Sequence, residues 1–109
     1  MRGYRVPKVS RTFDVVIVAA RYVKSGKQLA CGQAFVRRGP IWGDLRLLDR
    51  NDLIRRLEER QTVVTGRPAE IPGEFVVFNH VRLGRDNDTL ALLAGEKQST
   101  GDSLGLPLF

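Results

Sequence analysis

A small, mainly β protein with one helix is predicted by three features of this 109-residue chain. Apolar and β-branched residues gather in strand-like stretches at both ends, Thr12 to Val23 and Gln28 to Arg37 before the middle, Glu74 to Leu83 and Thr89 to Ala94 after it. In the middle, Leu53, Ile54 and Leu57 recur at helical spacing while Arg55, Arg56, Glu58 and Glu59 face water. Turn residues punctuate the remainder at Ser25-Gly26, Gly39-Pro40, Gly66 and Pro72-Gly73.

Taken in order, residues 1 to 11 show no period, contain Pro7, and read as an extended basic arm. The continuous apolar run Val15 to Ala20 suits a strand covered on both sides, as in a closed or strongly curved sheet. In the second strand, alternation puts Leu29, Cys31 and Phe35 on one face and Ala30, Ala34 and Val36 on the other. Gly32 is expected to mark a bulge or bend. Arg38-Gly39-Pro40 breaks that strand, and Ile41 to Leu47 supplies a short third one. Asp49 is a good N-cap, Asp52 is placed to close a capping box, and Leu48 and Leu53 to form a hydrophobic staple.

Thr62 to Arg67 follows as strand four. In Glu74 to Leu83, Phe75, Val77, Asn79, Val81 and Leu83 should share one face, and Val76, Phe78, His80 and Arg82 the other. Gly84 to Asp88 is expected as a loop and Thr89 to Ala94 as a last strand. The chain thus divides into a basic arm (1–11), a barrel (12–94) and a flexible tail (95–109) with an apolar end. Strand, strand, short strand, helix, strand, strand is the order of an OB-like Greek-key β-barrel with its helix between strands three and four. Another small barrel or an α+β roll has the same order.

Composition is that of an ordinary globular domain, 42% hydrophobic and 28% charged. No apolar run approaches a membrane span and no signal-peptide core is seen, so a cytoplasmic protein without a membrane partner is expected. Cys31 is alone, which excludes an internal disulfide. Neither a glycine-rich phosphate loop nor metal-ligand spacing is present, and no cofactor is expected. His80 and Cys31 read as structural, a dyad of the two lacks an orienting group, and Asp49 and Asp52 are explained by capping. No catalytic residue is nominated, and the chain is not expected to be an enzyme.

Charge is more informative. The net charge is +6, and residues 1 to 27 carry seven cations against Asp14 alone, while the remaining chain balances to neutrality. Such asymmetry suits a phosphate-rich partner, though a solvated basic surface gives the same count. Binding a single strand needs cations for phosphates and exposed rings for bases. Arg21, Lys24, Lys27, Arg37 and Arg38 lie at the ends of one predicted hairpin, forming a groove or a plain solvated edge. Tyr22 and Trp42 are the stacking candidates, with a core role the alternative for Trp42. Arg5, Lys8 and Arg11, with Arg2, add sequence-independent contacts from the arm.

Several stretches resemble the bacterial single-stranded-DNA-binding proteins, and primosomal relatives built on the same barrel. Their first strand reads Asn-x-Val-x-Leu-x-Gly-Arg, and Asp14-Val-Val-Ile-Val-Ala-Ala-Arg21 is similar, with Ala20 in place of Gly. Ser25-Gly26 leading through an alternating segment to Arg37-Arg38 looks like their second strand. Trp42 ahead of a helix, and Val63-Val-Thr-Gly-Arg67 after it, match as well, so the resemblance covers residues 14 to about 83. It implies non-catalytic binding of single-stranded nucleic acid, DNA first, by a homo-oligomer.

The tail resembles two kinds of recruiting peptide, the Pro-Phe-type end of single-strand binders and the Gln-Leu-x-Leu-x-Leu peptides that dock on the bacterial sliding clamp. By that resemblance Leu104, Leu106, Leu108 and Phe109 would engage a replication or repair partner. The alternative is a segment that folds back on its own barrel or on a partner subunit. A third reading of the whole chain is a protein-interaction adaptor whose charge is incidental.

Overall fold

The computed structural model describes residues 13–23, 28–71, 73–86, 89–95 and 101–109. Its elements are β1 (Val15–Tyr22), β2 (Leu29–Arg38), β3 (Ile41–Trp42), β4 (Arg46–Asp49), α1 (Arg50–Glu58), β5 (Val63–Pro68), β6 (Phe75–Asp86) and β7 (Thr89–Ala94). The strands form one curled sheet, a half-barrel, in the order β3-β2-β1-β5-β6-β7, with β4 also paired to β2. The fold is therefore mainly β with one helix between two groups of strands, as the sequence predicts. The expected third strand is split in two at residues 43–45, so in this count α1 falls between β4 and β5.

β1 and β5 run parallel, while the other neighbours are antiparallel. A parallel pair needs a long crossover, and here that crossover contains α1. The Asp49 carboxylate accepts the Asp52 N–H at 2.8 Å, confirming the N-cap. The reciprocal half of the box is replaced: the Asp52 carboxylate takes Nη2 of Arg55 at 2.6 Å. α1 ends without glycine, because Arg60 adopts the left-handed conformation with φ 66° while its N–H reaches the Leu57 carbonyl.

Two apolar layers lie on opposite faces of the sheet. Facing α1, Val15, Ile17, Ala34, Val36, Val63, Val81 and Leu92 pack with Leu53 of the helix. On the other face Val16 and Val64 join Phe13 and Phe75, flanked by half-buried Val18, Phe35, Trp42 and Val77. This two-sided burial is the physical reason the first strand is apolar without a break from Val15 to Ala20.

Three irregularities overturn the simple alternation expected of the strands. Ile17 pairs with Ala34 and Ala19 with Gln33, so the extra residue is Val18 on β1, and the bulge expected at Gly32 lies on the neighbouring strand. Arg21 pairs with Cys31 but Tyr22 with Leu29, leaving Ala30 over; Leu29 therefore joins Ala34 and Val36 rather than Cys31 and Phe35. Thr65 pairs with Asn79 and Gly66 with Val77, so Phe78 is bulged out, 47% exposed. That bulge switches the faces of β6: Phe75 and Val77 enter one layer, Val81 and Leu83 the other. Gly66 permits it, since a Cβ there would collide with the Val76 carbonyl oxygen.

β6 also continues through the expected loop to Asp86. Gly84 faces Ala91 across the hairpin, and a Cβ on it would meet the Leu93 side chain, so this glycine serves packing and not a turn. Among the described residues no helix is long and apolar enough to cross a membrane.

The largest departure is the segment expected as a flexible tail. Residues 101–109 lie along the half-barrel, bridging β7 at Ser103 and β1 at Leu108. Leu104 and Leu106 are buried in the layer beneath α1, and Asp102 is buried beside them. Asp102 accepts the Leu29 N–H at 2.7 Å, the Leu92 N–H at 2.8 Å and Nε of Arg50 at 2.8 Å. Composition alone marks the segment as polar linker plus apolar end; one buried carboxylate satisfying two backbone N–H groups and the half-buried Arg50 guanidinium fixes it in place.

Candidate nucleic-acid interface

The pairing register decides which candidate residues share a surface. Arg21 lies opposite Cys31, and Arg37 opposite Trp42, so Arg21, Gln33, Phe35, Arg37 and Trp42 all fall on the face turned away from α1. Six residues of β2 separate the two arginine positions, about 20 Å along the strand. Rings and cations thus alternate along one face.

At one end of this face Trp42 is half-buried. Its ring centroid lies 4.9 Å from that of Phe75 and 5.5 Å from that of Phe13, and the Arg37 guanidinium carbon lies 5.8 Å from it. Such a spacing is that of a cation–π contact. Phe35 reaches the same cluster, 5.3 Å from Phe75. Trp42 therefore combines the two roles weighed for it, part of an aromatic layer and part of an accessible wall. That wall belongs to a groove of about 530 Å³ lined by Val36, Arg38, Ile41, Trp42, Gly43, Asp44, Leu45 and Arg46.

At the other end Arg21 is exposed, but its guanidinium is engaged. Nε donates to the Phe109 carbonyl at 3.0 Å, and the guanidinium carbon sits 4.6 Å over the Phe109 ring. Tyr22, expected as a stacking ring, packs instead against the layer under α1, because the extra residue Val18 on the same strand puts it on the face of Ala20. Its hydroxyl accepts the Leu104 N–H at 3.1 Å. Arg5, Lys8, Arg11, Lys24 and Lys27 lie outside the described residues.

Of the proposed recruiting peptide, Leu104 and Leu106 are core residues, Phe109 is half-buried against Arg21, and Leu108 stands 73% exposed. A partner could not take Leu104 and Leu106 without extracting them from the barrel. Sequence reasoning missed Phe35, Phe75 and Arg46. The aromatic pair is invisible without the Phe78 bulge, whereas Arg46 was detectable as an exposed cation four residues after Trp42.

Among the described residues no cluster of His, Cys, Asp and Glu suits a metal ion. Cys31 is half-buried opposite Arg21, and His80 is exposed opposite Val64 on β6. The arrangement offers rings, guanidinium groups and a shallow groove, which are means of holding a ligand. No protein-family model, curated protein or solved structure matches this chain.

Proposed function

We propose that this protein binds single-stranded nucleic acid, DNA in the first instance, without chemistry on the strand. The binding surface is the face turned away from α1 together with the groove at Trp42, on a barrel of the OB type that acts as a homo-oligomer. One observation carries the reading: Trp42, whose ring lies 5.8 Å from the Arg37 guanidinium, lines a groove together with Arg38 and Arg46. Base–ring stacking contributes about 1–3 kcal/mol per base, and guanidinium groups neutralise the phosphates between stacked bases. The positive N-terminal quarter of the chain supports the same partner. Recruitment of a second protein through residues 104–109 would need Leu104 and Leu106 to leave the core, and the reading does not extend to it.

Fluorescence anisotropy of a dye-labelled single-stranded oligonucleotide tests this. Wild-type protein is expected to bind at low salt and to weaken steadily as salt rises. Arg38→Glu, at an exposed position of the groove, should weaken binding several-fold without lowering the melting temperature. Absence of binding at low salt would favour the adaptor reading, in which the barrel holds a protein.

A further inference from the structure

Two edges bound the half-barrel, and among the described residues only one is covered. Along β7 the chain covers its own edge: Ala94 N–H donates to the Ser103 carbonyl at 3.0 Å, and Ser103 N–H to the Leu92 carbonyl at 2.8 Å. Along the opposite edge, β3 and β4 pair only with β2 among the described residues. Folded proteins normally blunt an open edge with lysine, proline or a bulge, because its unpaired N–H and C=O groups recruit another strand. This edge is interrupted at residues 43–45, where the pairing with β2 shifts by one residue, yet it exposes Ile41 at 65%, Leu45 at 47% and Leu47 at 58% within seven residues. Asp44 and Arg46 flank Leu45 and are exposed, and their side chains make no hydrogen bond or ion pair with the described residues.

We propose that this edge packs against the same edge of a second copy of the chain, antiparallel, about a two-fold axis through Leu45, which lies in the interruption between β3 and β4. A two-fold contact sets positions equally distant from its centre against one another. Centred on Leu45, it places Asp44 of each copy against Arg46 of the other, twice, with the two Leu45 side chains meeting at the axis. Centred one residue earlier it sets Asp44 against itself, and one residue later Arg46 against itself, so like charges reject both neighbouring registers. A partner of unrelated sequence gains the apolar contact without these reciprocal pairs, which is why a second copy is the occupant. Asp44, Leu45 and Arg46 also line the groove at Trp42, so the pairing joins two grooves into one surface. The inference does not depend on nucleic acid, and its test contains none.

Sedimentation of the full chain at micromolar concentration should show a dimer. Asp44→Arg and Arg46→Asp should each weaken self-association at least tenfold, because each sets like charges together at both contacts. Mixing these two variants in equal amounts should restore a dimer, since the two altered chains are complementary to each other. Leu45→Lys, which places two ammonium groups at the axis, should be monomeric while keeping the circular-dichroism spectrum of the folded chain. A monomeric wild-type chain would overturn the proposal, as would a dimer indifferent to all three substitutions or a mixture that associates no better than its components.

Discussion

Asp102 shows how one side chain decides the path of a whole segment. Its side chain is 2% exposed, and its carboxylate meets two backbone N–H groups from β2 and β7 and the Arg50 guanidinium at the start of α1. Arg50 in turn donates from Nη2 to the Leu90 carbonyl at 2.6 Å, so strand, helix and closing segment share one buried polar junction. Removing one partner of such a junction leaves the others desolvated and unpaired, a cost of about 3–5 kcal/mol. Asp102→Ala should therefore lose roughly that much stability in urea unfolding. A loss below 1 kcal/mol would mean that water replaces the carboxylate freely. Gly66 is the second decisive residue, since only a residue without a side chain lets β5 pass the Val76 carbonyl beside the Phe78 bulge.

The closing segment, residues 101–109, behaves as an eighth strand in all but regularity. It contributes Leu104 and Leu106 to the layer under α1, forms a parallel bridge to Leu93 at Ser103 and another to Ala20 at Leu108. Leu104→Ala should cost about 2–5 kcal/mol, the usual range for a fully buried leucine, and lower the melting temperature of the whole barrel in one transition. An unchanged melting temperature would show the segment to be dispensable to the fold. Element by element, the sequence was most legible where local chemistry acts alone. The Asp49 cap, the α1 face, the ends of β2 and β5 to within one residue and those of β7 follow from residue types and spacing, whereas β1 starts three residues later than expected. It was least legible where a single extra residue changes the faces of a strand: Val18, Ala30 and Phe78 carry no mark in composition, yet they decide that Tyr22 turns inward and that Phe75 joins Trp42. The docking of Leu104 and Leu106 was hidden for a related reason, since an isolated Asp in a polar stretch gives no sign of the donors it will meet.

For the molecule as a whole, the two faces of the sheet have separate work. One holds the fold together with α1 and the closing segment; the other carries an aromatic layer flanked by Arg21 and Arg37, with a cationic groove at its margin. The positive charge is concentrated in the first quarter of the chain, which adds long-range attraction for an anionic polymer without dictating its sequence. Trp42 is the sole tryptophan and lines the groove, so a change in emission on adding a ligand to the folded protein reports on this region of the molecule. The decisive measurement is a titration of that emission with an unlabelled single-stranded oligonucleotide at low and at high salt. The account predicts saturable quenching at low salt that is largely reversed at high salt; an emission unchanged by saturating oligonucleotide at low salt would contradict it.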